Sequence, residues 1–391
     1  MLSHKQGVEY DGRMERLYFI MKHASSRETR ISAGRKYINA CVKGGFCGSL
    51  EEVIIDEETF LGEIREEARS KIEDAARRAI EICVRDGRYR DLIDSKEEYW
   101  TISEEVGKEA GNKVGEAARR AIKIYAKRGL YKCIERIAAD KDVPEEEREE
   151  AGKKVIGIYA KRGLYGRIER LVLDGRLPER VRVYAGMEFI EICVERGFCG
   201  SLERLAEYED TPKEIKEKAR NRVGEAARNA IKICVRDGMY RELIELAGYE
   251  KISGEIREEA RSRIGEAARR DIENCVRDGK YRGIINLMRY EEIPEEVRKE
   301  ARSRIGDAAR RAIGIYVGGD LYEKLEILAI DKDVPEEVRK KAGMEAIKGY
   351  VETCKYEKLE RLATDEGVLE VVRKKARSEL SRVAEELALR L

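Results

Sequence analysis

Nine cysteines and two histidines, His4 and His23, are the side chains whose chemistry is most readily imagined as metal binding or nucleophilic attack. Zinc sites draw cysteine and histidine from close-set pairs, and no CxxC occurs here. Five cysteines, Cys41, Cys83, Cys193, Cys234 and Cys275, stand four residues before a recurring turn residue, where other copies of the same pattern carry Tyr125, Tyr159, Tyr316 and Tyr350. A ligand is not exchanged for tyrosine, so these read as small, weakly polar core side chains. The other reading of the thiols is pairing: Cys41 with Cys47 and Cys193 with Cys199 each face across one turn, both in the run Gly-Phe-Cys-Gly-Ser-Leu. Disulfides there would staple helices that already pack, in the manner of thermophile cytosols that tolerate such bonds.

Arginine offers the next candidate chemistry. Arg220, Arg222, Arg261, Arg263, Arg302 and Arg304 recur in three consecutive copies of the pattern and would form a basic strip able to grip phosphate or an acidic partner. Against this, Glu259 lies four before Arg263 and Glu300 four before Arg304, the spacing of intrahelical ion pairs that neutralise such a strip. Asp271 replaces an alanine found at Ala79, Ala121, Ala230 and Ala312, and with Asn274 it brings a polar patch into a core stripe. A buried carboxylate needs a partner, ordinarily Arg270 or an arginine of an adjacent copy; a ligand role is the alternative. The sole tryptophan, in Tyr99-Trp100, stands where the pattern is one residue longer and Ser95 replaces an apolar residue. It is either a partner anchor or the cover of a junction. No GxSxG, P-loop, dinucleotide glycine fingerprint or HExxH occurs, so neither enzymatic activity nor a cofactor is expected.

The elements that must position these residues are announced by proline. All five prolines, Pro144, Pro178, Pro212, Pro294 and Pro335, occupy one place in a repeating unit, and Ser26, Leu61, Ser103, Ser253 and Leu369 fill that place elsewhere. Each start is followed by a turn residue: Gly45, Gly87, Gly129, Gly163, Gly197, Gly238, Gly279, Asp320 or Cys354. Between them apolar residues recur at steps of three and four, as in Val297, Ala301, Ile305, Ala308, Ala312 and Ile313, which marks one face of a helix. After the turn Tyr322, Leu325 and Leu328 begin a second, shorter helix. The units are 34 or 41 residues long, and the difference is one inserted heptad, Arg302 to Ala308 in the copy opened by Pro294. Seven residues return the apolar face to within about 20° and lengthen the helix by ~10.5 Å. Twelve residues before every turn lies an alanine, Ala33 through Ala342, followed by Ala or Gly, so that neighbouring helices can approach closely.

These observations predict an all-α protein: a right-handed α-solenoid of about ten two-helix repeats with alternating 34- and 41-residue units, folded as a single domain over 1–391. Residues 1–25 form an N-terminal half-unit opened by Gly12, 26–368 nine helical hairpins, and 369–391 a capping helix whose apolar face is Leu380, Val383, Ala384, Leu387 and Leu391. With 41% charged residues yet a net charge of +1, the surface is a mixed ionic lattice and implies no general polyanion partner. One glutamine against abundant Glu, Lys and Arg is a balance met in thermophile proteins. No apolar run approaches the ~20 residues of a membrane span, and a cytoplasmic location is expected.

Paired helices of this period with proline opening the first resemble HEAT and armadillo repeats, a likeness of architecture covering nearly the whole chain. The junction Tyr159-x3-Gly163-x-Tyr165-x2-Ile168, repeated at Tyr125-x3-Gly129-x-Tyr131-x2-Ile134, is similar to the turn of tetratricopeptide repeats, although that family's tryptophan and Leu-Gly positions are missing. Either resemblance implies a scaffold that binds a protein or peptide partner. Nucleic-acid binding through the arginine strip and self-assembly as a structural subunit are the alternatives.

Overall fold

Proline and serine start the long helices by different means. Pro144, Pro294 and Pro335 occupy the residue just before the first helical turn, in extended backbone, and are followed by glutamates that suit the positive end of the helix dipole. Ser26, Ser103 and Ser253 hold the same place with a hydroxyl that accepts the N–H of Thr29, Val106 and Ile256 at 3.3, 3.4 and 3.4 Å. At the other end the turn glycines adopt left-handed backbone, φ between 68° and 76°, and close the helix. Asp320 and Cys354 take the same conformation, both at φ 54°, without glycine's freedom.

The computed structural model describes residues 12–388; His4, Arg390 and Leu391 lie outside them. Among the described residues every regular element is a helix, 21 in chain order, arranged as repeated helix hairpins. The chain divides into two units, one of residues 1–190 and 205–218, the other of 191–204 and 219–391. Wholly within the first lie α1 (Gly12–His23), α2 (Arg27–Gly44), α3 (Cys47–Ile55), α4 (Gly62–Asp86), α5 (Tyr89–Asp94), α6 (Lys96–Ile102), α7 (Glu104–Arg128), α8 (Tyr131–Ala139), α9 (Glu145–Lys161) and α10 (Tyr165–Leu173). Helices α11 (Glu179–Arg196), α12 (Cys199–Glu207) and α13 (Lys213–Asp237) carry residues of both. The second holds α14 (Tyr240–Gly248), α15 (Gly254–Asp278), α16 (Tyr281–Leu287), α17 (Glu295–Gly318), α18 (Tyr322–Ile330), α19 (Glu336–Glu352), α20 (Tyr356–Thr364) and α21 (Glu370–Ala388).

Small residues set the distance between successive first helices. Ala151, Ala185 and Ala342 are wholly buried, and the glycines after them each receive a branched side chain from the next hairpin: Val181 on Gly152, Ile215 on Gly186, Val372 on Gly343. A Cβ at Gly186 would stand 2.7 Å from Ile215, which is the packing reason for a glycine that helix propensity alone disfavours by about 1 kcal/mol.

Polar braces tie each hairpin to its neighbours. In the short helices the arginine four residues after the start reaches two carbonyls. Arg148 donates from Nε to Ala138 O at 3.2 Å and from Nη2 to Arg176 O at 2.6 Å, and Arg339 does the same to Ala329 O and Gly367 O at 3.1 and 2.9 Å. A second brace joins a tyrosine hydroxyl to a carboxylate of the preceding hairpin: Tyr159 to Glu135 at 2.5 Å, and Tyr350 to the buried Glu326 at 2.7 Å. Burial first, then the adjoining carboxylate, pushes both phenols well above their ordinary range, so they remain donors.

Candidate functional site: an arginine-lined groove

A concavity of about 850 Å³ lies in the first unit. Its walls follow from the hairpin pattern. The last turn of α4 supplies Arg85 and Asp86; Gly87, at φ 70°, reverses the chain so that Arg88, Tyr89, Arg90 and Asp91 enter α5. Opposite, the end of α7 brings Ile124, Tyr125 and Arg128, and α8 brings Cys133, Arg136, Ala139 and the C-terminal Asp140. Arg176 closes one side from the loop after α10, held by its carbonyl on Arg148.

Six guanidiniums therefore face three carboxylates. Arg85 chelates Asp86 at 2.9 and 3.4 Å, Arg88 pairs with Asp91 at 3.4 Å, and Arg90 reaches the buried Asp140 at 2.9 Å. Arg176 folds onto Asp174 at 2.8 Å. Arg128 and Arg136 have no carboxylate within ion-pair distance among the described residues and remain exposed. The side-chain bond from Arg85 holds the Asp86 carboxyl below its usual range, while burial lifts the Tyr89 and Tyr125 phenols. Arginine does not give up its proton, so the groove is a fixed array of N–H donors flanked by neutral tyrosine hydroxyls. Such an array offers N–H donors of the kind a carboxylate or phosphate accepts from.

The sequence contains a signal for this site in the residues that end the first helices. Helices α4, α13 and α15 end in Arg-Asp, and in each the aspartate neutralises its neighbour: Arg85–Asp86, Arg236–Asp237 and Arg277–Asp278 at 2.9, 2.7 and 3.6 Å. Helix α7 ends in Lys127-Arg128, which removes the acid and leaves the cation. Arg90, by contrast, belongs to the scaffold: its counterpart Arg282 reaches Asp331 at 3.7 Å, and Arg241 lies over the Tyr290 ring at 5.3 Å.

The residues singled out from the sequence are placed otherwise. Of the arginine strip, Arg222 chelates Glu191 at 3.1 Å through both Nη atoms, Arg261 pairs with Glu258 at 3.0 Å, Arg263 with Glu266 at 3.0 Å and Arg304 with Asp307 at 2.8 Å. The expected pairs within one helix, Glu259 with Arg263 and Glu300 with Arg304, do not form. Those glutamates instead face Arg228 at 3.9 Å and Arg269 at 3.2 Å on the preceding first helix, because that is the side on which neighbouring helices pack. Arg220 is also engaged, and Arg302 has no carboxylate partner among the described residues.

Asp271 is half-buried beneath the turn at Gly238 and accepts a weak bond from Cys275 Sγ at 3.8 Å. Burial pushes its carboxyl above the ordinary value, opposed by that bond and by the charges of Arg241 and Lys280. Arg270 is committed to Glu273, so the arginine acting on Asp271 comes from the adjacent hairpin; Asn274 accepts from Arg277 at 2.7 Å. The segment around the tryptophan is not a plain connection: Ser95 breaks the second helix, and Tyr99 and Trp100 ride on the additional helix α6. Tyr99 is 2% exposed and belongs to the core, so of that pair only Trp100, 42% exposed and seated on Gly107, reaches the surface.

All nine cysteines are thiols in the structure. Cys41 and Cys47 are buried, and desolvation pushes them up to about 12 and about 11, which keeps them protonated and slow to oxidise. Among the described residues no group of three His, Cys, Asp or Glu is arranged to hold a metal ion, and no helix is long and apolar enough to cross a membrane.

The fold and groove together define an all-helical protein of repeated hairpins with an arginine-lined concavity on one of its units. No family model matches the sequence, and no curated protein matches it. A solved structure described as "Computational Design of Self-Assembling Cyclic Protein Homooligomers" aligns over 76% of this chain and 88% of its own at 19% identity, with a TM-score of 0.10. At that score the likeness carries no argument about shape or assembly.

Proposed function

We propose that the chain is a non-enzymatic protein- or peptide-binding scaffold, its hairpins stacked as a right-handed α-solenoid of HEAT or armadillo type with 34- and 41-residue repeats. The observation that carries this reading is the groove: a concavity of about 850 Å³, within the size range of ligand pockets, walled by fixed donors and lacking a proton-transfer pair. The residues of the groove recognise and position a ligand.

Selection of a displayed random-peptide library on the immobilised protein tests the reading. Enrichment of sequences that rebind as synthetic peptides, and that lose binding when groove residues are changed, is the expected result. A library that returns no rebinding peptide overturns it. The second reading, nucleic-acid binding along Arg220, Arg222, Arg261, Arg263, Arg302 and Arg304, predicts salt-sensitive retention on a nucleic-acid column. It is disfavoured because ion pairs already occupy four of those guanidiniums. A self-assembling subunit would give a large, concentration-dependent mass in light scattering.

A further inference from the structure

We infer that the groove between α5 and α8 is a docking site for an acidic, extended peptide segment, with Arg128 and Arg136 as the residues that grip its carboxylates. This rests on the scaffold reading above and deepens it by naming the partner's chemistry. Charge imbalance is the starting point: the groove holds six guanidiniums and three aspartates, and the two cations without an acid partner lie on adjoining elements, the end of α7 and the body of α8. A guanidinium with no acceptor from its own chain is a donor fork presented to solvent, the geometry that takes a carboxylate two bonds at a time.

The remaining lining decides between classes of anion. Asp86, Asp91 and Asp140 stand among the arginines. A nucleic-acid strand brings a negative charge with every nucleotide and would meet those aspartates with repulsion, and it needs a track of cations longer than two adjacent hairpins provide. An extended peptide brings what the mixed lining asks for, side-chain carboxylates for Arg128 and Arg136 and backbone N–H groups for the solvent-accessible Asp86 and Asp91. Tyr125, half-buried in the wall, adds a ring face against which a peptide backbone packs.

The experiment is fluorescence anisotropy on the full chain with three labelled probes: a peptide of alternating glutamate and glycine, the same peptide with glutamine for glutamate, and a single-stranded oligonucleotide. The glutamate peptide is expected to bind, the glutamine peptide to bind at least about tenfold more weakly, and salt to weaken the first far more than the second. The double variant R128A/R136A, both positions being exposed, is expected to bind the glutamate peptide at least about tenfold more weakly with an unchanged helical circular dichroism spectrum. R302A, which removes the unpaired cation of the other arginine set, is the control and leaves binding unchanged. Absent glutamate-peptide binding, equal binding by wild type and R128A/R136A, or tighter binding of the oligonucleotide each overturns the proposal. If library selection yields neutral or basic peptides while the glutamate probe fails, this inference falls and the scaffold reading stands.

Discussion

The short hairpin opened by Pro335 and the long one opened by Pro294 place the same arginine in different hands. In the short helix α19, Arg339 bonds two carbonyls, one at the end of α18 and one in the loop before α21. In the long helix α17 its counterpart Arg298 turns to Glu295 at 2.8 Å, and its buried Nε finds no acceptor. Arg257, at the same place in α15, has a buried Nε in the same condition. The inserted heptad preserves the angular phase of the apolar face but lifts the first turn ~10.5 Å along the axis, away from the loops its arginine would otherwise serve. One turn further in, Arg261 takes over the carbonyl of Ala247 at 3.4 Å. A heptad insertion is thus silent for packing and audible for axial hydrogen bonding, and Arg261, read from sequence as part of a surface strip, is in α15 the replacement for a lost staple.

The strongest test of that contrast is a matched pair of substitutions. Arg339→Met is expected to lower stability by about 2 kcal/mol in chemical denaturation, since charge-assisted bonds to two carbonyls disappear, whereas Arg298→Met changes it by no more than about 0.5 kcal/mol. Equal losses would break the comparison. Next in size is Glu147, which sits in α9 where all other hairpins but the one with Thr29 put Val or Ile, is 4% exposed, and pairs with Arg119 at 2.6 Å while its Oε2 has no hydrogen-bond donor. Glu147→Val is expected to raise stability by roughly 1–2 kcal/mol, because an apolar side chain suits the seat on Gly115 and Arg119 keeps Glu146 at 3.5 Å. A lower melting temperature for that variant would show that the ion pair outweighs its desolvation.

Glycine at the turns supplies a smaller test. Cys354→Gly relieves left-handed backbone and is expected to add about 0.5–1 kcal/mol by calorimetry. Asp320→Gly gains less, since it also loses the bond that Asp320 accepts from Tyr322 at 2.7 Å. The smallest effect concerns Asp271. A carboxyl whose folded value is raised binds more protons folded than unfolded, so its contribution is complete below the ordinary carboxyl range and is lost as pH rises through the raised value. Asp271→Ala, restoring the residue of the other hairpins, is expected to flatten the wild-type decline in stability over that window. An unaltered pH profile would mean that Arg241 and Lys280 fully compensate the burial.

How much of this was legible in the residues follows from periodicity. Proline, serine and the turn glycines marked the helix ends, and alternating spacings of three and four marked the buried faces, because both signals are local to a few turns of backbone. Ser95 marks a departure in the sequence, but a one-residue insertion says nothing about whether the surplus coils or runs as loop, so the break of the second helix into α5 and α6 is legible only in the structure. The groove was harder still. Its cations are individually ordinary, and what distinguishes Arg128 is the aspartate that fails to stand in its place, while Arg136 matters only because α8 brings it alongside. Partner choice among charges depends on which helix lies next door, so Glu259 and Glu300, spaced for arginines of their own helices, pair with arginines of another.

The carbonyl of Arg176, clasped by Arg148, gives the groove a wall that is set before any visitor arrives. A segment docking there would forgo little motional freedom on that side, and tightness would come from readiness rather than from additional touching. Loosening the clasp at Arg148 would accordingly leave every lining residue in the chain yet shorten how long a bound segment stays.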